Sequence, residues 1–417
     1  MSTWTLYGVP YSLEAFKLHH PGGTLALTLG EGSDCTLLFE QYHARPAAAL
    51  RALRGYSVPG APSPQPSSDA FHADLLAEVN ALPSAKASAL TLALTALGAA
   101  GLAALYALWA AGSTPALLLL PFFHWPLAGA AHDASHFALS SQPWVNELFG
   151  LLAAPLYFNS GQWAHQHNVA HHVHTNEVGK DHDLHHFGHH ARLHPGIPWQ
   201  PSHASQLLFT AVAFPLATLA QTLLFPGRLL LGLGFFNQPQ QLPGSPSTHP
   251  ITRRTLLATA LQWLASVAFL AYPALRWGPS LGSFAWAAYP YAMAGLIFMF
   301  ITQVSHVQHS AQQAQGLALA GGQVHWSRVQ VASSMDYAQD CPWTAFFTAG
   351  LNMQALHHVV PGCHSSRLRE LYPRFRAVCK KHGVAINEVP GFAAAVASYF
   401  QHLGVLSRLP SAAAHLE

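Results

Sequence analysis

The run PALLLLPFFHWPLAGAAHDASH, residues 115 to 136, decides the architecture. It is apolar from Pro115 to Ala131, enough helix to cross roughly 25 Å of hydrocarbon, and passes without a break into His132-Asp133-Ala134-Ser135-His136. Histidines four apart share one helical face, so a membrane segment here ends in two imidazoles aimed the same way. Immediately before it, Gly112-Ser113-Thr114 is so short that the preceding apolar stretch, Ala87 to Ala111, must return as the other arm of a hairpin. A second pair, Thr255 to Leu275 and Phe284 to Thr302, is joined as tightly through Gly278-Pro279-Ser280. Four spans in two hairpins place every long connection on one side. Lys86, Lys180, Arg192, Arg253, Arg254 and the basic run Arg367 to Lys381 all fall there, while the tips carry only Arg276, so that side is predicted to be cytosolic.

Composition agrees. Of 417 residues, 51% are hydrophobic and only 9% charged, too few charges for an ordinary soluble protein. The net charge of +2 provides no basic field for nucleic acid and no acidic tail. The four cysteines show no CxxC pairing, which favours a reducing face over a disulfide framework. The N-terminus has neither a signal-peptide nor a transit-peptide pattern. Two further apolar stretches, Trp144 to Phe158 and Leu207 to Phe236, are interrupted by proline and polar residues and read as interfacial or re-entrant helices.

The 29 histidines outnumber the 19 lysines and arginines. After the pair at 132 and 136, the segment from Trp163 to His172 carries His167, His171 and His172, an HxxxHH pattern. Its last residue is rotated by about a third of a turn from the helical face of the others, so one helix can feed two neighbouring metals. Beyond the fourth span come His306 and then Gln354-Ala355-Leu356-His357-His358. These eight neutral donors, all at the predicted cytosolic ends of spans, suit two ions at about four each. Imidazole alone does not choose iron over zinc. Gln354 can bind weakly, hold a water or orient a neighbour. The histidines from His182 to His194 read as mostly solvated loop residues. A His-rich metal transporter would instead set polar ligands inside its spans, where His124 is the main exception here.

HDASH, HNVAHH and QALHH, with His306, resemble the three histidine boxes and the additional histidine of membrane fatty acyl desaturases, across roughly Asp69 to Val389. Trp163 before the second box, Thr175-Asn176 after it and Gly350-Leu351-Asn352 before the third match as well. Glutamine opening the third box resembles the front-end branch, which desaturates between an existing double bond and the carboxyl end. Leu356 stands where that branch usually has glutamate, and His309 where an acidic residue often follows the extra histidine. The resemblance implies a mainly α integral membrane four-helix bundle with a cytosolic helical cap, spanning residues 87–417. It also implies a di-iron centre held by His132, His136, His167, His171, His172, His306, His357 and His358, with Gln354 as the catalytic candidate. The implied reaction is oxygen-dependent desaturation of a lipid-linked or CoA-linked acyl chain in the endoplasmic reticulum membrane. Hydroxylases with the same boxes, and methyl-end desaturases, are the nearest alternatives.

Residues 1–57 form a separate α+β module. His20-Pro21-Gly22-Gly23 and His43 resemble a shortened haem-binding core of cytochrome b5, implying haem b between His20 and His43 and electrons from NAD(P)H through cytochrome b5 reductase. Residues 58–86 supply a Pro/Ser-rich linker and then, over Asp69 to Leu82, an amphipathic helix with Phe71, Leu75, Val79 and Leu82 on one face.

Overall fold

The computed structural model describes residues 3–66, 69–233, 251–313 and 324–409. Both hairpins form. Helix Ala89–Ala110 is capped by Ser88, which accepts from Thr91 N, and helix Thr114–Ser135 by Ser113, which accepts from Ala116 N. The second hairpin is Arg253–Trp277 and Leu281–Thr302, started by Thr252 and by a Ser280–Ser283 capping box. Leu90, Leu94, Leu97, Leu119, Leu261, Leu264 and Phe284 remain exposed on these helices, an apolar outer surface that suits lipid. The protein is mainly helical and has the spans of a membrane protein.

The candidate spans number one more than the expected four. Among the described residues five helices are long and apolar enough to cross a bilayer, the fifth being Pro201–Leu230. Pro215 does not end it, and a widened π segment, Ala220–Leu224, carries the helix on to Phe225–Leu230. Residues 234–236 of the stretch read as re-entrant lie outside the described residues. Phe214 stacks edge-on against Phe300, Thr218 donates to Tyr291 O at 3.3 Å, and Trp263 donates to Leu223 O at 3.0 Å. Its end, Phe225 and Leu229, packs against Ile251 and Leu256. Its middle therefore packs along Leu281–Thr302, and its C-terminal end against the start of Arg253–Trp277. The other doubtful stretch breaks into Pro143–Gly150 and the short turn Leu151–Ala153, neither long enough to span.

The polar cap gathers where the hairpins open. Helix Ala70–Asn80, capped by Asp69, buries Phe71, Leu75 and Val79 against Leu368, Leu371, Tyr372 and Phe375 of helix Ser365–Lys381. The expected amphipathic face is thus used on the cap. A two-stranded parallel pair, Met335–Tyr337 with Asn387–Val389, ties the C-terminal part to the third histidine box, because Asp336 accepts from Ala355 N at 2.9 Å.

At the N-terminus, strands Trp4–Leu6 and Val9–Tyr11 pair antiparallel, and helices Gly23–Thr28, Thr36–Tyr42 and Pro46–Ala52 enclose a core of Trp4, Leu6, Val9, Tyr11, Leu13, Phe39 and Leu53. Residues 61–66 of the linker have no regular structure. The module sits directly against Pro143. Gly23, at φ +84°, lies so close to Pro143 that a Cβ would come within 2.7 Å of its ring.

Candidate metal centre

His132 occupies the last turn of helix Thr114–Ser135 and His136 is its C-cap residue, their ring centres 4.7 Å apart. The helix leading into the second box is capped by Asn159, whose side chain accepts from Gly161 N and Gln162 N and donates to Thr259 O at 2.9 Å, anchoring the box to the second hairpin. From Ala164 to His171 the helix widens to π geometry. This changes the grouping that α-helical periodicity predicts: His172, five residues on, lies 4.6 Å from His167 ring to ring, closer than His171 at 5.4 Å. Trp163 stacks on His167 at 4.3 Å. His306 lies just past helix Leu281–Thr302, and helix Gln354–Val359 carries Gln354, His357 and His358.

All eight predicted histidines are buried and converge. They divide five and three rather than four and four. The ligand nitrogens of His132, His136, His167, His172 and His357 lie within 4.8 Å of one another, and those of His171, His306 and His358 form a second such group. The two adjoin, since the rings of His172 and His358 stack at 4.1 Å. Gln354 belongs to the smaller group, its Nε2 2.9 Å from His306 Nε2 and 3.1 Å from His358 Nε2.

The donor set fits metal ions. Two nitrogens on one ion at about 2.1 Å stand about 3 Å apart when at right angles. His132 Nε2 lies 3.0 Å from His167 Nε2 and 3.3 Å from His136 Nε2, while His172 Nε2 lies 3.2 Å from His167 Nε2. His357 Nε2 and Gln354 Oε1 are buried with no hydrogen-bond partner. Burial holds His136, His167, His172, His357 and His358 well below the ordinary histidine value, and His306 down at about 3, so they are neutral lone-pair donors at pH 7. In His171 burial acts in the same direction but is outweighed by Asp181 and Asp183, which raise it to about 9.

The outer nitrogens fix which one faces inward. His171 Nδ1 lies 3.1 Å from Asp181 Oδ1, His306 Nδ1 lies 3.2 Å from Ser333 O, and His358 Nδ1 lies 2.9 Å from Gln330 Oε1 and 3.1 Å from Thr175 Oγ1. His136 Nδ1 meets the hydroxyl of Tyr42 at 2.6 Å. These partners leave Nε2 free for an ion and hold each ring in place. Asp181, Gln330 and Tyr42 were not singled out from the sequence. The only local hint was the Asp181-His182-Asp183 wording. The loop expectation also needs correction: His182 and His194 are buried, whereas His189 and His190 are exposed. Asp181 pulls the segment inward by accepting from Asn176 N and Asp183 N at 2.8 and 2.9 Å.

In the N-terminal module, His20 and His43 face each other with ring centres 6.1 Å apart. Their Nδ1 atoms lie 3.3 Å from Gly23 O and 2.8 Å from Phe39 O, which turns both Nε2 lone pairs away from the backbone. Burial lowers both, His43 to about 4. They line a cavity of about 560 Å³ with Leu27, Leu38 and Phe39. Two neutral imidazoles across an apolar cavity fit an axially ligated haem iron.

A helical membrane protein with a buried centre of eight histidines is an oxidoreductase scaffold of the histidine-box kind. The family model described as fatty acid desaturase matches residues 107–390, and the chain belongs to that family. It is 33% identical to an acyl-lipid omega-13 desaturase of Chlamydomonas reinhardtii, over 98% of this chain and 94% of the relative. It is also similar to an acyl-lipid (7-3)-desaturase of Diacronema lutheri, 28% identical over 96% of this chain and 89% of the relative. An acyl-lipid (8-3)-desaturase of Mortierella alpina is 27% identical over 97% and 93%. The chain is accordingly a desaturase, with a buried histidine cluster compatible with a metal centre.

Proposed function

We propose that the protein is an oxygen-dependent, front-end desaturase of lipid-linked acyl chains, with two irons in the paired histidine groups and haem b in the N-terminal module. The observation that carries it is the convergence of eight histidines into two adjoining buried groups, with Gln354 completing the smaller. Irons bound there would supply, with dioxygen, the oxidising power that removing hydrogen from an unactivated methylene demands. The side chains hold that centre. Gln354, whose amide lies beside the Nε2 atoms of His306 and His358, would bind through its oxygen once the amide is turned over or would retain a water, and Asp181 makes His171 a stronger donor. The choice of a lipid-linked chain is supported by relatives named as acyl-lipid desaturases. Front-end chemistry is supported by Gln354 and by the fused module.

In this reading residues 1–57 are the electron-delivering module, 58–86 the linker and docking helix, and 87–417 the desaturase domain. Four helices cross the membrane and the fifth is re-entrant, a reading supported by Pro215, Gln221, Pro226 and Arg228, which interrupt its apolar run. The histidine boxes and both termini are then cytosolic, in the endoplasmic reticulum, with electrons coming from NAD(P)H through cytochrome b5 reductase.

Feeding defined fatty acids to a host lacking polyunsaturated lipids tests the proposal. The expected product is lighter by two hydrogens, with its new double bond on the carboxyl side of an existing one. A gain of one oxygen would make the enzyme a hydroxylase, and a new bond on the methyl side would overturn the front-end assignment.

A further inference from the structure

Helix Thr36–Tyr42 and the residue after it present four consecutive contacts. Glu40 accepts from Trp326 Nε1, and Gln41 Nε2 donates to His172 O at 2.8 Å. Tyr42 meets His136 Nδ1 at 2.6 Å, its ring stacked on the imidazole. His43, next in the chain, faces His20 across the cavity. That cavity is not closed by the module alone. His136, Phe137 and Lys86 of the catalytic part line it together with Tyr42 and His43.

We infer that Tyr42 is a positioning residue that joins the haem module to the metal centre and carries their electronic contact. With His136 Nε2 turned towards the five-histidine group, its Nδ1–H donates to the Tyr42 oxygen, which fixes the ring and its tautomer. The route from His43 is one peptide bond, the Tyr42 side chain and a single hydrogen bond to a metal-facing imidazole. The step would be transfer of one electron from a haem iron held by His20 and His43, oxidised from ferrous to ferric, to an iron held by the histidine groups, reduced from ferric to ferrous. A nicotinamide-dependent flavoprotein reductase restores the haem, and no bond is made or broken. This inference rests on the haem and di-iron reading given above.

The experiment uses the purified full chain, first assayed for iron and haem, then reduced anaerobically and mixed with oxygen and an acyl lipid while haem reoxidation is followed by absorbance. Tyr42→Phe should keep wild-type iron content, haem spectrum and haem midpoint potential, yet slow reoxidation at least tenfold. Arg45→Ala, which removes a docking contact to Asn80 on the same edge, should reoxidise at the wild-type rate. A wild-type rate in Tyr42→Phe overturns the inference. So does equal slowing in Arg45→Ala, which would make docking in general the cause, or loss of iron or haem from Tyr42→Phe, which would make the role structural. Wild-type protein without a haem spectrum overturns the underlying haem reading instead, and shows this before any variant is made.

Discussion

His171 and Asp181 stand 3.1 Å apart, Nδ1 to Oδ1, both buried, and this pair sets one imidazole of the cluster apart from the other seven. A carboxylate behind a ligating histidine fixes its tautomer and strengthens its donor nitrogen. Asp181→Asn keeps the shape and removes the charge. We expect metal affinity to fall about 10- to 100-fold, measured by chelator competition, with the protein still folded in the membrane.

The five-and-three division makes the two histidines of the third box separable. His357→Ala removes a donor from the larger group and His358→Ala one from the smaller. Each should abolish desaturation, but metal analysis should show one ion lost preferentially from His358→Ala, whose group has only Gln354 in reserve. Exposed His189→Ala should leave both turnover and metal content unchanged.

Gly295 is where the fifth helix crosses the second hairpin. A Cβ there would run into the carbonyls of Phe214 and Pro215, the second at 2.8 Å. Gly295→Ala should destabilise the protein by about 1–3 kcal/mol, read as a lower melting temperature in detergent. Gly404→Ala, with nothing within 4 Å of its Cβ position, should not lower it.

Glu40 provides a pH-dependent element at the docked edge. Burial works to raise its carboxyl, but hydrogen bonds from His325, Trp326 and Tyr7 outweigh it and hold the group below the ordinary value of 4.5. A depressed carboxyl contributes stability above its unfolded value and loses it as pH falls through the folded one. Hydrogen exchange in Thr36–Tyr42 should therefore be slower in wild type than in Glu40→Gln at pH 7, and the difference should shrink as pH falls below about 4.5. A constant difference across that range would contradict the assignment.

Much of the site was legible because local chemistry dictates it. Apolar runs joined by three-residue turns can only be hairpins, and histidines beside their open ends can only gather on one side. The clustering of the eight histidines and the buried face of Phe71, Leu75 and Val79 were recoverable this way. The HPGG wording likewise marked the cavity histidines His20 and His43.

How those donors divide was decided by tertiary structure. Periodicity reads faces on an α-helix, whereas Ala164–His171 is wound wider, so His172 joins His167 and His171 turns to His306 and His358. That winding arises in a helix held at Asn159 by the second hairpin and at Thr175 and Asn176 by contacts with Gln330 and Ser333. The same holds for Asp181 and Tyr42, partners separated from the atoms they orient by a folded loop and by 94 residues of chain. Sequence determines which groups can bind and where the two hairpins turn, since both depend on side-chain chemistry along a short stretch. Partnership across the fold depends on backbone paths that meet only when the chain is packed.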